Sequence, residues 1–371
     1  MKNIIITEDF NEGVKIGKEL FKEKSNIYTE KLVNSLMATV EKNMPSATTA
    51  EKEEMFYHSV YDYWAYGVVI GEEFYFNFYK LTDKEKREYV TTREKVLYVN
   101  HLNKKDDAYI LNNKYETYKK FSNLFRRDVV LISNNDDFEV FCEFVDKHPT
   151  FVVKPLDLGL GIGVHKMTVN KDDDKRTAFN SILSEGRSYT EEAHREEGTA
   201  IVLEELINQA AELSCIHPAS VNGIRCTTVR VDGKVHIYHP WIKMGVNGDF
   251  TTSAFMGSID AGINAETGVI DTIGIGEFGQ RMQYHPYSNI EIKGFQIPRW
   301  SELVDMATEL SMALPTIAYT GWDFALTDNG WCVMEGNYTG DFLWQLLYEK
   351  GMKAEFEELI GWKLNKKFWW E

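Results

Sequence analysis

Gly321-Trp322-Asp323-Phe324-Ala325-Leu326-Thr327-Asp328-Asn329-Gly330-Trp331-Cys332-Val333-Met334-Glu335-Gly336-Asn337 is the stretch whose reading decides the fold. Two alternating runs flank Asp328-Asn329-Gly330, a strong turn signal, so the segment is expected to form a β-hairpin. Alternation puts Asp323 on one strand and Glu335 with Asn337 on one face of the next, where three oxygen donors can converge. Hard oxygen ligands around an open face suit Mg²⁺ together with substrate phosphates. The same residues would equally serve as ordinary solvated strand positions, and the rest of the chain must decide between the two.

Composition narrows the choice. At 371 residues the chain can bury two or three sizeable cores, and its 43% hydrophobic and 13% aromatic content is that of a globular protein. A net charge of −16 argues against nucleic acid or an anionic membrane surface as partner, although it leaves room for a local basic pocket. The segment Met1 to Asp9 lacks a long apolar run and no later segment is long enough to span a bilayer, so neither signal peptide nor membrane insertion is expected and a cytoplasmic protein is. Cys142, Cys215, Cys226 and Cys332 are scattered, and the nine histidines are dispersed. Reduced thiols and no zinc site are expected.

Upstream, residues 9–100 read as mostly helical, with a cluster of aromatics from Tyr57 to Tyr79 that suits a helical core or, in part, a substrate or partner surface. Thr82-Asp83-Lys84-Glu85 is a capping box, expected to open a helix running through Arg93. The polar stretch Asn100 to Asp107 marks a boundary, giving regions 1–105, 106–205 and 206–371. Beyond it helices and strands mix: a helix capped by Ser133 or Asn134, a strand Thr150 to Val153, a charged helical region from Asp172 to Arg195, a strand Ala200 to Leu203, β-rich segments from Thr227 to Ile275, and a helix over 301–314. This order argues for α+β lobes rather than a doubly wound sheet.

Three features in this region carry chemistry. Lys154 ends a hydrophobic strand and precedes Pro155-Leu156-Asp157-Leu158-Gly159-Leu160-Gly161-Ile162-Gly163, a glycine loop whose N–H groups could fold over phosphates or simply form a tight turn. It fits neither the P-loop nor the dinucleotide fingerprint nor a kinase, where the lysine follows the loop. Leu203-Glu204-Glu205-Leu206-Ile207 leaves a strand for a polar turn, where backbone could serve an adenine edge. Arg225, among apolar and small residues, either pairs with an acid or binds a phosphate.

In order, the lysine strand, glycine loop, Glu-Glu hinge, arginine strand and Asp/Glu-x-Asn hairpin resemble the ATP-grasp superfamily. The resemblance is closest to the sugar-transfer-associated ATP-grasp proteins, through Pro218 to Arg225, Ile259-Asp260 with Glu266-Thr267-Gly268, His285-Pro286, Gly294 with Ile297-Pro298-Arg299-Trp300, and Gly321-Trp322-Asp323. It spans roughly residues 110–345. It implies an ATP-grasp fold, two α+β lobes gripping the nucleotide, preceded here by a mostly helical N-terminal region. It further implies that Lys114 and Lys154 contact phosphate and that Asp157, Gly159, Gly161 and Gly163 belong to a lid over it. Glu204, Glu205 and Ile207 are similar in position to the adenine hinge, Glu212 to a ribose contact, and Asp323, Glu335 and Asn337 to the metal set for Mg²⁺ or Mn²⁺. Many relatives carry an arginine two residues before the metal aspartate, where this chain has Gly321; Arg225 takes that role in expectation. Thr251 to Gly257 departs from the more polar stretch of the subfamily.

The activity so implied is ATP-dependent joining of a carboxylate to an amine through an acyl phosphate, in cell-surface polysaccharide or peptide-conjugate synthesis. Its substrates would be small molecules or conjugates, and a homodimer is the assembly common among such ligases. An ATP-binding scaffold without ligase activity and a phosphotransferase acting on a hydroxyl are the competing readings.

Overall fold

The computed structural model describes residues 4–159, 161–246, 257–277 and 279–371. The chain divides into two compact units, one of Met1–Leu102, Phe278–Arg281 and Asp341–Glu371, the other of Asn103–Glu277 and Met282–Gly340.

The first unit is helical, with α1 (Phe10–Glu23), α2 (Glu30–Asn43), α3 (Thr49–Tyr66), α4 (Ile70–Tyr75), α5 (Asp83–Lys86) and α6 (Thr92–Leu102). Caps define the ends: Asp9 accepts the N–H of Glu12, Thr48 and Glu51 form a capping box, and Gly67 closes α3 in the left-handed conformation at φ 79°. α1 lies against α3 so closely that a Cβ on Gly17 would fall 1.9 Å from the carbonyl oxygen of Tyr57. The aromatics Phe56, Tyr61, Trp64, Tyr66 and Phe78 are buried in its core. Trp64 and Tyr66 therefore pack the interior and do not shape a substrate surface.

Two expectations are corrected here. The capping box at Thr82 and Glu85 forms, but its helix stops at Lys86 and a new one starts at Thr92. The cause is Val90, whose backbone N–H and carbonyl are both taken by the Gln345 side chain at 3.0 Å, so neither can enter a helical ladder. Residues 341–371, expected to close the second lobe, belong instead to this unit, because their aromatics pack here. Tyr98 meets Phe342, Phe356 and Trp362, and the indoles of Trp369 and Trp370 donate to the carbonyls of Tyr63 and Trp64.

The second unit holds two antiparallel sheets. The smaller has the order β1 (Val129–Ile132), β4 (Ile201–Glu205), β2 (Thr150–Pro155) and β3 (His165–Thr168). The helices Phe138–Lys147 and Lys175–Ser188 bury Phe141, Phe144, Phe179 and Ile182 against it. The expected helix start near Asn134 is a 3₁₀ turn, Asn135–Asp137, that leads into Phe138–Lys147. The larger sheet runs β11 (Gly330–Asn337), β10 (Tyr319–Thr327), β5 (Gly223–Val231), β6 (Lys234–Gly245), β7 (Ser258–Gly262) and β8 (Gly274–Gly276), and ends on the two-residue β9 (Arg281–Met282), of which Met282 belongs to this unit. The helix Trp300–Met312 covers it through Leu303, Ala307 and Leu310. Asn103 opens this unit, its amide bridging the backbones of Ala318, Tyr319 and Tyr338. The departing segment Thr251 to Met256 lies outside the described residues.

Candidate functional site

The hairpin at Asp328-Asn329-Gly330 closes with Thr327 opposite Gly330, which takes φ 97°. Strict register from that turn would set Asp323 against Met334 and send Glu335 to the other face. A bulge between Asp323 and Phe324 adds one residue on β11 and brings Glu335 opposite Asp323, with Asn337 opposite Gly321. The three oxygen donors share a face because the ladder is interrupted, not because alternation runs unbroken.

Pairing across β10, β5 and β6 extends that face. Arg225 stands opposite Asp323, and Lys243, opposite Gly223, falls on the same side. Arg225 Nε and Lys243 Nζ each donate to Asp323 Oδ1 at 2.8 Å, while Asn337 Nδ2 lies 3.4 Å from Oδ2. Burial alone pushes the Asp323 carboxyl up, but the two cations more than reverse this and hold it below its ordinary value. Gly321 makes the arrangement possible: a Cβ there would stand 2.8 Å from Arg225 Nη1. The position that carries arginine in many relatives is the space through which Arg225 reaches Asp323.

A cavity of about 390 Å³ lies beside this face, lined among others by Lys114, Asp157, Gly159, Glu335 and Asn337. Lys114 opens the helix Lys114–Phe125, capped by Asn113, and its ammonium donates to the carbonyl of Leu158. Burial pulls its pKa below the ordinary lysine value; Glu335 opposes that and Lys154 adds to it. Lys154 lies 2.9 Å from Glu204, which also takes Arg127 at 3.0 and 2.7 Å. Burial raises the Glu204 carboxyl, yet Arg127 and Lys154 outweigh it and bring the group down to about 2.

Several anticipated site residues are already engaged. Asp157 accepts from Arg195 and from Thr199 Oγ1, fixing the entry to the glycine loop. Gly161 and Gly163 take φ 74° and 70°, and turn bonds run from Ile162 to Gly159 and from Val164 to Gly161. Glu204 sits inside β4 between Val129 and Val152, and Glu205 pairs with Phe151 while its N–H donates to the Asp128 carbonyl, so their backbone is committed; Leu206 and Ile207 are the first residues beyond the strand. Glu205 also accepts the N–H of Asp128. Glu212 is exposed and paired with Arg299 at 2.9 Å. Lys243 and Arg127 escaped the sequence reading. The available signals were a lone lysine inside the apolar run Trp241-Ile242-Lys243-Met244 and the pair Arg126-Arg127 at the mouth of a strand.

The donor set fits Mg²⁺. Two carboxylates and an amide on one strand face, beside a cavity able to hold phosphate groups, provide the hard oxygen ligands that ion requires.

Two antiparallel α+β lobes with Lys114 and an acidic hairpin beside one cavity, which Lys154 does not line, are the arrangement of an ATP-grasp fold. The chain belongs to the sugar-transfer associated ATP-grasp family, whose sequence profile matches residues 93–359. In structure it is similar to D-alanyl-alanine synthetase A from Vibrio cholerae, at 12% identity over 69% of this chain and 63% of that one, with a TM-score of 0.41. L-amino acid ligase from Bacillus licheniformis shares 15% identity over 66% of this chain and 50% of its own, TM-score 0.38. N5-carboxyaminoimidazole synthetase from Staphylococcus aureus, complexed with ADP, shares 11% over 71% and 55%, TM-score 0.42. The chain thus spans between half and two thirds of the length of these structures, and the likeness is one of fold. No protein of curated function matches the sequence. No helix among the described residues is long and apolar enough to cross a membrane.

Proposed function

We propose that this protein is an ATP-dependent carboxylate-amine ligase. A substrate carboxylate takes the γ-phosphoryl group of ATP, giving ADP and an acyl phosphate; an amine then displaces phosphate from the acyl carbon, giving an amide, inorganic phosphate and a proton. The observation that carries this reading is the face on which Asp323 is gripped by Arg225 and Lys243 beside Glu335 and Asn337.

Each residue then has a physical task. Lys114 and Lys154 hold phosphate oxygens, with Glu204 and Arg127 positioning the Lys154 ammonium. Arg225 and Lys243 set positive charge beside the moving phosphoryl group, at positions fixed by their shared hold on Asp323. Mg²⁺, or Mn²⁺, held by Asp323, Glu335 and Asn337, would supply neutralisation of the phosphate charge. The loop from Asp157 to Gly163 excludes water, which would hydrolyse the acyl phosphate. Backbone at Leu206 and Ile207 serves the adenine edge, and Glu212, once released from Arg299, the ribose. The family's description as sugar-transfer associated supports a place in cell-surface polysaccharide or peptide-conjugate synthesis, and we place the reaction in the cytoplasm with a homodimer as the working assembly.

The test is ADP release from the purified protein with ATP, Mg²⁺ and a panel of carboxylates and amines. Release should require one of each, and Lys154→Ala and Glu335→Ala should each lower it by about 10² or more. Unchanged turnover in both variants would overturn the site. Nucleotide binding without ADP release across the panel would favour a scaffold, and a stable phosphorylated product a phosphotransferase.

A further inference from the structure

A second set of ionisable groups lies in the core of the helical unit. α3 places His58 and Asp62 one turn apart on the same face, α4 contributes Glu73, and α5 ends in Lys86. All four are buried, at 3%, 0%, 0% and 4% exposure. Lys86 Nζ donates to both oxygens of Asp62, at 2.7 and 2.8 Å. His58 Nδ1 lies 3.4 Å from Asp62 Oδ2 and 3.4 Å from Glu73 Oε1. Among the described residues, neither that nitrogen nor either oxygen of Glu73 has a hydrogen-bond partner.

Two physical facts make this arrangement incomplete. The first is charge. Glu72, the buried neighbour, has partners of its own, accepting the N–H of Val69 and that of Thr92 at 3.1 Å each, so Asp62 and Glu73 stand against the one buried ammonium of Lys86. The surroundings give little relief: Phe10 stacks on His58 at 4.5 Å, and the rings of Tyr66 and Phe78 flank Lys86 at 5.1 and 5.2 Å. Buried charge without a partner is strongly disfavoured, and with Lys86 spent on Asp62 the Glu73 carboxylate lacks the counter-charge that a bound cation would supply.

The second is distance. A charge-assisted bond from His58 to a carboxylate would close to about 2.7–2.9 Å. The nitrogen instead keeps two equal separations. Ligand atoms about 2.0–2.1 Å from a common tetrahedral centre lie about 3.4 Å apart, which matches both.

We infer that His58 Nδ1, Asp62 Oδ2 and Glu73 Oε1 form a structural binding site for a divalent cation of the Zn²⁺ class, with Lys86 orienting Asp62 from outside the shell. All three ligand atoms lie within 4.8 Å of one another. A carboxylate has lone pairs enough for Lys86 and a metal at once. One imidazole with two carboxylates and no thiolate selects Zn²⁺ or Mn²⁺ over copper(I). The ion would tie α3 to α4. The expectation against zinc came from cysteine and histidine spacing; His58 and Asp62 carry no such pattern, and Glu73 joins them only on folding.

The full-length protein, stripped with EDTA and held in excess Mg²⁺ to occupy the hairpin site, is titrated with Zn²⁺ alone. We expect one equivalent bound per chain and a rise in unfolding temperature. Glu73→Gln should weaken binding at least about tenfold. Asp128→Asn, which alters the more exposed Asp128, His148 and Glu205 group, should leave it unchanged. Absence of uptake, or uptake lost in Asp128→Asn and intact in Glu73→Gln, overturns the assignment. Should Glu73→Gln fail to fold, X-ray absorption at the zinc edge of the wild-type protein decides: one imidazole with carboxylate oxygens supports the site, and sulfur or several imidazoles overturn it.

Discussion

The two units solve the problem of buried charge in opposite ways. In the ATP-grasp unit the acids are outnumbered: Glu204 is held by Arg127 and Lys154, and Asp323 by Arg225 and Lys243. In the helical unit Asp62 and Glu73 share the interior with the single ammonium of Lys86. The first surplus is positive and the second negative. A surplus of cations around ionised acids is a pocket ready for an anion such as a triphosphate, which is how a chain of net charge −16 can bind one. A surplus of acids awaits a cation.

The contrast is sharpest where one cation is removed. Arg127→Ala should destabilise the ATP-grasp unit by about 3–5 kcal/mol, because Glu204 keeps Lys154 alone and the carbonyls of Phe125 and Val333 lose their donor. Denaturant unfolding measures this, and a loss below about 1 kcal/mol would show that Lys154 neutralises Glu204 by itself. Acid probes the same group without mutation. The folded-state pKa of Glu204 is lowered to about 2, so its contribution is present above the ordinary value of 4.5 and is lost as pH falls from there through about 2. The loss should amount to about 3 kcal/mol, read as a pH-dependent unfolding midpoint that flattens in Glu204→Gln.

How far this contrast could be read in advance depends on sequence distance. The hairpin was legible because its proposed ligands lie within one local pattern, Asp323 and Glu335-x-Asn337 around an Asn-Gly turn. The bulge that aligns them was not, since one extra residue leaves no mark in an alternating run. Lys243 and Arg127 were missed because a cation in an apolar strand acquires meaning only once register sets it beside a particular acid. The helical core fared similarly: the aromatics announced it, but Asp62, Glu73 and Lys86 come together through three separate helices. The capping box at Thr82 was read correctly as a start, and the end at Lys86 was hidden because Gln345, which occupies the Val90 backbone, lies 255 residues away.

Gly321→Ala tests whether the cation surplus is positional. The added Cβ would stand 2.8 Å from Arg225 Nη1 and 3.3 Å from its Cδ, so the guanidinium must move. Because the obstacle is the flexible end of a side chain, stability should fall only by about 1–2 kcal/mol. ADP formation should fall by about tenfold. A variant with full activity would mean that Arg225 does not need its present seat on Asp323.

The smallest effect belongs to the helical unit and concerns how Lys86 reaches Asp62. α5 is a single turn, too short to persist on its own, and Lys86 is its last residue. Thr82 Oγ1 accepts the N–H of Glu85 at 3.3 Å, and the Glu85 carboxylate accepts the N–H and hydroxyl of Thr82, each at 2.8 Å. Thr82→Ala removes the reciprocal cap from an exposed position and should cost about 1 kcal/mol, with Thr82→Ser recovering most of it. If the cap orients Lys86, the loss appears as a lower unfolding temperature. If Thr82→Ala leaves that temperature unchanged, the buried pair with Asp62 holds the turn in place, and the direction of dependence runs from the core outward to the helix.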